Sequence, residues 1–345
     1  MKSKVLFIGT FLSKQRGTKG VSESLSQLLH NEGISIKLVS RYENKLLRIL
    51  DIVVAILFFK GDKIHIDVFS GPAYKIAIIA TLIAKIRRKK IILTLHGGKL
   101  KEFAMENREL IHKVFSKADY IQTPSSFLKE YFESINYEVH YLPNPINLEN
   151  FPYNRTNIKK FTLLWVRGFT PIYNPTIPIE LLSKLLNIYP EATLTMIGPD
   201  AGMLNECIEL AKNLKVFDKI NFTGKIENTR LFDFYQTHHV FLNTTSYESF
   251  GVALVEAASC GIPIVSNKVG EIPYLWEEKK NMLFVNNNNI DEYVSCVKSL
   301  FESDTLCNSI SFNARKKAES FSWDHIKKDW EQLLELNSLN AGITR

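Results

Sequence analysis

The stretch Tyr247-Glu-Ser-Phe-Gly-Val-Ala-Leu-Val-Glu256 gathers the residue types best suited to chemistry in this 345-residue chain. It follows an apolar run at 239–243 and a Thr-Thr-Ser loop, and it opens a helix that Gly261 and Pro263 end. At such a start the backbone N–H groups of Phe250, Gly251 and Val252 lack helical partners. With the helix dipole they make a site for phosphate. Gly251 lets a ligand approach the backbone closely. Glu248 lies in the loop and Glu256 about two turns into the helix, so both can look toward one mouth of a sheet. A carboxylate beside a bound diphosphate accepts hydrogen bonds from sugar or ribose hydroxyls. The plainer alternative is a capped amphipathic helix with Glu256 on its solvent face.

Other chemistries find little support. Cys207, Cys260, Cys296 and Cys307 form no Cys-x-x-Cys pair and have no His at zinc spacing, so they read as reduced thiols. His238 and His239 are adjacent, not four apart as on a helical metal site, and no metal is expected. The sequons at Asn154, Asn221 and Asn243 carry meaning only in a secreted chain. Gly9-Thr-Phe-Leu-Ser-Lys does not supply the Gly-x-Gly-x-x-Gly that a nicotinamide dehydrogenase needs after its first strand.

The elements that must position these residues alternate in type. Short runs rich in Val, Ile and Leu at 4–8, 34–39, 63–69, 91–95, 119–122 and 138–142 are separated by amphipathic stretches such as 21–31, 74–88, 100–116 and 125–134. The pattern restarts with runs at 161–166, 193–197, 219–223, 239–243, 263–266 and 282–285. Helical stretches at 177–189, 202–214, 228–237, 252–260 and 291–302 lie between them. The expectation is an α/β protein of two doubly wound, Rossmann-like domains with parallel sheets. Pro143 and Pro145 suit neither a helix interior nor a central strand, which puts the domains at 1–145 and 146–322. A last helix, at about 323–340, is expected to pack back toward the first domain.

With 45% hydrophobic and 23% charged residues, the chain is neither a disordered tail nor a disulfide-stapled mini-domain. Its longest apolar runs, at 52–59 and 76–84, are far short of the ~20 residues of a spanning helix. Met1-Lys-Ser-Lys leads straight into a strand-like run, unlike a signal peptide, so a cytoplasmic location is expected. The net charge of +7 is unevenly spread. Residues 1–150 carry 23 Lys and Arg against 14 Asp and Glu, whereas 151–345 carry 20 against 22. A basic first half suggests an anionic partner. The cluster Lys85, Arg87, Arg88, Lys89 and Lys90, after an apolar helical stretch, makes an anionic membrane face the candidate, peripheral on the inner side of the cell membrane. A buried crossover helix with a basic C-terminus explains the same residues. Nucleic acid is not expected, since no aromatic platform interleaves the charges.

The two Glu separated by seven residues, with Phe-Gly after the first, resemble the signature of the retaining family 4 glycosyltransferases of GT-B fold. Leu95-His-Gly-Gly98, Leu142-Pro-Asn-Pro-Ile146, Val166-Arg-Gly168, Met196-Ile-Gly-Pro-Asp200 and Phe222-Thr-Gly-Lys-Ile226 carry the resemblance along the chain in the family's order. It implies a GT-B architecture, with the two sheets facing a central cleft. The second domain would bind a UDP- or GDP-sugar and the first would serve the acceptor, with no obligatory metal or cofactor. Glu256 would hold the ribose hydroxyls, Glu248 would lie at the transferred sugar, and the amides of Ser249, Phe250, Gly251 and Val252 would meet the diphosphate and sugar. Arg167 would neutralise the leaving diphosphate, with Gly198 in the donor site and Ile226 flanking the base. His96 would face the donor sugar from the first domain. Gly17, Gly20, Gly97 and Gly98 would form acceptor-side loops.

The chain departs from this pattern at the second diphosphate cation, a Lys usually found about five residues after the strand-end Arg. Asn174 stands in that region, and Lys225 is a substitute candidate. The expected activity is retaining, metal-independent hexosyl transfer to a lipid-linked or glycan acceptor in bacterial-type cell-surface polysaccharide or glycolipid assembly. Alternatives are a nucleotide-sugar epimerase or phosphorylase of the same fold, or a non-catalytic membrane-docked scaffold.

Overall fold

The computed structural model describes residues 4–11, 20–39, 42–154 and 158–335. These form two compact units: residues up to Pro145 together with the helix Trp323–Glu335, and Ile146–Ser322. Each is an α/β unit built on one six-stranded parallel sheet.

The first sheet contains β1 (Lys4–Ile8), β2 (Ser35–Val39), β3 (Lys63–Val68), β4 (Lys90–Leu95), β5 (Tyr120–Thr123) and β6 (His140–Tyr141), in the order β2-β1-β3-β4-β5-β6. Period-2 alternation sends its residues to two cores. Leu6, Ile8, Ile64, Ile66 and Leu93 pack under the helices Lys45–Phe58 and Tyr74–Ile86. Val5, Phe7 and Ile92 pack on the other side against Ile326, Trp330 and Leu333 of Trp323–Glu335. The Lys63 ammonium donates to the Leu334 carbonyl, fixing that helix on the sheet. All six residues of β3 are buried, as in a strand covered on both faces, yet two of them are His65 and Asp67.

The second sheet contains β7 (Thr162–Val166), β8 (Thr193–Ile197), β9 (Ile220–Gly224), β10 (Val240–Asn243), β11 (Ile264–Asn267) and β12 (Leu283–Val285), in the order β12-β11-β10-β7-β8-β9. Leu163, Trp165, Leu194, Met196, Leu242 and Val265 fill one face. Leu164, Ile197, Phe241 and Ile264 meet the wholly apolar side of the helix Val252–Cys260 on the other. In each sheet the chain order reverses once, between β1 and β3 and between β7 and β10. Ligands of parallel α/β sheets bind beyond the carboxyl ends of the strands at such a reversal.

Every expected strand is present within two residues of its expected ends. The helices differ more: the stretch expected at 177–189 ends at Leu185, and the short helix Ile272–Leu275 was not expected. The stretch 100–116 is two helices, Leu100–Glu106 and Arg108–Phe115, because Asn107 leaves helical geometry (φ −129°, ψ 46°) and its amide donates back to the Phe103 carbonyl. The helices Lys45–Phe58 and Asp304–Glu319 had no counterpart among the expected elements. Among the described residues no helix is long and apolar enough to cross a membrane.

Candidate functional site

At the reversal in the second sheet, Arg167 directly follows β7 and Asn243 ends β10. The Arg167 Nη2 donates to Asn243 Oδ1 (3.3 Å) and to Glu248 Oε2 (3.0 Å). The ion pair is mostly buried, with Arg167 and Glu248 side chains 12% and 14% exposed. The guanidinium lies 5.3 Å from the centre of the Tyr173 ring, a cation–π contact. Its Nε is buried and has no hydrogen-bond partner among the described residues. A desolvated donor left unpaired costs free energy unless an acceptor comes to it. Arg167 thus carries a donor without a partner among the described residues, at the reversal where parallel α/β sheets bind ligands.

Glu248 is held from two sides. Its Oε1 accepts from the backbone N–H of Ser249 (3.0 Å) and Phe250 (3.4 Å), while Oε2 takes Arg167. The N–H of Phe250, expected to be open for phosphate, is therefore occupied by the carboxylate; the first-turn donors beyond it follow the usual geometry of a helix start. Gly251 turns the chain into the helix with φ +84°. A side chain there would be strained and would press on Leu254 at 2.9 Å. Gly270, at φ +53°, brings the Glu271 N–H to the Glu248 carbonyl (3.1 Å), and a Cβ would stand 2.1 Å from that oxygen. The loop carrying Glu248 is thereby clamped between two glycine-dependent contacts.

Glu256 is not on a solvent face. It is 6% exposed and accepts from Asn228 Nδ2 (3.0 Å) and the Tyr235 hydroxyl (3.2 Å). Burial raises its pKa above 4.5; those two hydrogen bonds and the charge of Arg167 pull the other way without cancelling it. Ile226, just past β9, packs against the same core as the helix carrying Glu256, so Ile226, Asn228 and Glu256 are neighbours in one wall. Lys225 is exposed just past β9, an edge strand separated from β7, which Arg167 follows, by β8. Asn174 adopts a left-handed backbone, φ 45°. Its amide donates to the Thr244 carbonyl (2.8 Å) and Ser246 Oγ (2.7 Å), locking two loops together rather than standing in for a cation. Gly198 packs on the backbone of Arg167, and its N–H donates to Gly224. Asp200 caps the helix Leu204–Asn213 through the N–H groups of Gly202 and Leu204, which lower its pKa.

In the first unit the reversal gathers a second polar group. His96 follows β4 and is 8% exposed; its Nε2 lies 3.2 Å from Asp67 Oδ1. Ser22, in the first turn of the helix Val21–Asn31 that Gly20 caps, donates to Asp67 Oδ2. His65 lies behind, with Nδ1 3.8 Å from Asp67 and Nε2 2.6 Å from Thr94 Oγ1. Burial pushes Asp67 upward, but His96, His65 and Ser22 together hold its pKa below the ordinary value. Burial lowers the His65 pKa to about 4. Gly97 takes φ +91° and starts the turn through Gly98 to the next helix; Gly17 lies outside the described residues. Of the basic cluster, Lys85 lies in the last turn of the helix Tyr74–Ile86 and Arg88 is left-handed (φ 52°). Lys89 donates to the Gly61 carbonyl over the Phe59 ring, and Lys90 begins β4. Among the described residues no group of three His, Cys, Asp or Glu is placed to hold a metal ion.

The buried histidine has a consequence for acid stability. Its folded pKa lies below that of the unfolded chain, so between pH 6.5 and about 4 only the unfolded chain takes up this proton. Asp67 acts in the same direction, its contribution being lost as pH falls through its depressed value. Acidification over that range should cost the first unit on the order of 3 kcal/mol from His65. Urea unfolding at a series of pH values checks this; His65→Gln should flatten the slope, and an unchanged midpoint down to pH 4.5 would contradict it.

Residues 148–317 match the family of glycosyl transferases group 1. The match spans the Arg167, Glu248 and Glu256 site. Over 173 residues the chain is 25% identical to D-inositol 3-phosphate glycosyltransferase of Rhodococcus jostii, covering 48% of this chain and 38% of the relative. It is also 25% identical over 153 residues to a phosphatidylinositol N-acetylglucosaminyltransferase polypeptide of Arabidopsis thaliana, covering 44% of this chain and 33% of that protein. The chain thus matches about two fifths or less of these relatives' length. Among solved structures, Anabaena HepE in complex with UDP and glucose aligns over 97% of this chain and all of its own, at TM-score 0.79 and 16% identity. Sucrose-phosphate synthase of Thermosynechococcus elongatus aligns over 99% of this chain and 100% of its own, at TM-score 0.82 and 14% identity. The fold is the two-domain α/β fold of these GT-B proteins.

Asp67, Ser22, Asn228, Tyr235 and Asn243 were not among the expected site residues. Asp67 and His65 had a visible mark, two ionisable residues inside an otherwise apolar strand. Asn228 and Tyr235 had none, since each meets Glu256 only through the packing of two helices.

Proposed function

We propose that the chain moves a sugar from a nucleoside-diphosphate sugar to an acceptor hydroxyl with retention, without an obligatory metal, the Ile146–Ser322 unit binding the donor. The observation carrying this reading is the Arg167 guanidinium, buried at the reversal of the second sheet beside a helix start, its Nε unpaired among the described residues. As the anomeric carbon–oxygen bond breaks, its electron pair goes to the β-phosphate. Arg167 and the helix terminus stabilise that growing charge. The acceptor oxygen bonds to the anomeric carbon from the same face, and its proton passes to the departing phosphate. Glu248, tied to Arg167 and two N–H groups, acts on the transferred sugar's hydroxyls, not as a nucleophile. Glu256 accepts from the ribose hydroxyls, with Ile226 beside the base. His96 is the first unit's contribution to the reaction. Structural neighbours solved with UDP and with UDP-glucose favour a uridine donor. Relatives named for inositol phosphate and phosphatidylinositol favour a polar or lipid-linked acceptor, as in glycolipid or polysaccharide assembly.

A thermal-shift panel of UDP, GDP and ADP and their sugars tests the donor claim, because a ligand of the folded state alone raises its melting point. We expect a shift with UDP compounds that Glu256→Ala abolishes; no shift with any nucleotide would reject the reading. A carboxylate that accepts ribose hydroxyls must be charged. Affinity should therefore rise with pH through the raised Glu256 value and level off above it.

A further inference from the structure

The helix Lys45–Phe58 buries Ile52, Ala55 and Ile56 against the first unit's core. Its opposite side should be polar in a helix facing water. Instead Leu46, Leu50, Val54 and Leu57 recur at spacings of four, four and three along one outward stripe, and Phe58 ends it. Leu46 is 74% exposed, Leu50 58%, Val54 52% and Phe58 77%. A contiguous apolar patch of this kind marks a contact surface. Around it the charge is basic. Phe58 lines a shallow hollow of about 270 Å³ whose other walls include Lys4, Lys37 and Lys60. The helix Tyr74–Ile86, packed beside Lys45–Phe58, ends in the exposed Ile86 and then Arg87 and Arg88.

We infer that Lys45–Phe58 docks the first unit on an anionic lipid surface, its leucine stripe entering the acyl boundary while Lys4, Lys37 and Lys60 meet lipid phosphates. Apolar residues on one helix side with a lysine rim are what an interfacial helix requires. A second copy of the chain fits less well, because a shared apolar contact would bring two lysine rims together. Lys89, turned inward to Gly61, takes no part. The inference is independent of the reaction, since no residue of the sites described above belongs to this face.

The test is co-sedimentation of the purified full chain with vesicles of phosphatidylcholine alone and of phosphatidylcholine mixed with phosphatidylglycerol. Binding should be at least tenfold stronger to the anionic vesicles and weaken with salt. Neutralising Lys4, Lys37 and Lys60 together (to Gln) should lower it about a hundredfold, at ~1 kcal/mol per cation. Leu50→Asp with Leu57→Asp should abolish it. Both positions are exposed, so unchanged circular dichroism and melting are expected of that variant. Equal binding to neutral and anionic vesicles, or retained binding by both variants, overturns the inference. So does a concentration-dependent dimer in light scattering that Leu50→Asp dissolves.

Discussion

Arg167→Ala is expected to lower turnover about a thousandfold, with a smaller change in donor affinity. Removing one donor aimed at developing negative charge costs 10²- to 10³-fold in comparable sites, and neither candidate for a second diphosphate contact shares the work. Asn174 spends its amide on Thr244 and Ser246, and Lys225 sits at the sheet edge. Arg167→Lys should recover only part of the loss, because an ammonium cannot serve Asn243, Glu248 and a phosphate oxygen from one rigid fork. The fold should survive the alanine change, since Glu248 keeps the N–H groups of Ser249 and Phe250. Steady-state kinetics on UDP-sugar, beside circular dichroism of each variant, separates the two effects. An alanine variant within tenfold of the parent would remove Arg167 from the mechanism.

The contrast between what was readable and what was not follows from range along the chain. Strands announced themselves because a parallel sheet covered on both faces favours short runs rich in Val, Ile and Leu, and all twelve were found although β3 carries Lys63, His65 and Asp67 and β6 is only His140–Tyr141. The loop and helix of Glu248, Gly251 and Glu256 were readable because their relation is local. Lys45–Phe58 was not, because its outward side is as apolar as its inward side and the usual alternation of faces is missing. Asp304–Glu319 was obscured differently, by Cys, Ser and Asn at the positions it buries or exposes. The site's connections span large separations: Arg167 to Asn243 and Glu248 across 76 and 81 residues, and Asn228 to Glu256 across 28. Spacing along a sequence cannot show that two strand ends meet. Only the family resemblance singled out Arg167, and it left Asp67 unmarked.

Asp67 is therefore where a new experiment says most. Its carboxylate takes Ser22 on one oxygen and His96 on the other, in a place so tight that a Cβ on Gly9 would lie 2.4 Å from Oδ2. Asp67→Ala deletes the shared acceptor and leaves a buried hydroxyl and a buried imidazole without it. Breaking a buried polar pair from one side costs roughly 3–5 kcal/mol, which lowers the melting point by about 10 °C in a unit of this size. Asp67→Asn keeps the volume and one acceptor oxygen, so its stability loss should be a fraction of that. It cannot, however, offer His96 and Ser22 an acceptor oxygen each, so the imidazole is held differently. If Asp67 positions His96 for the reaction, the asparagine variant should turn over about a hundredfold more slowly at nearly native melting temperature, and with a displaced pH profile. Adding His96→Ala to it should cost little more, because the two residues act as one unit. Asparagine turnover equal to the parent's, with an unshifted profile, would leave Asp67 as a buried fastening of β3 to the helix Val21–Asn31 and nothing else.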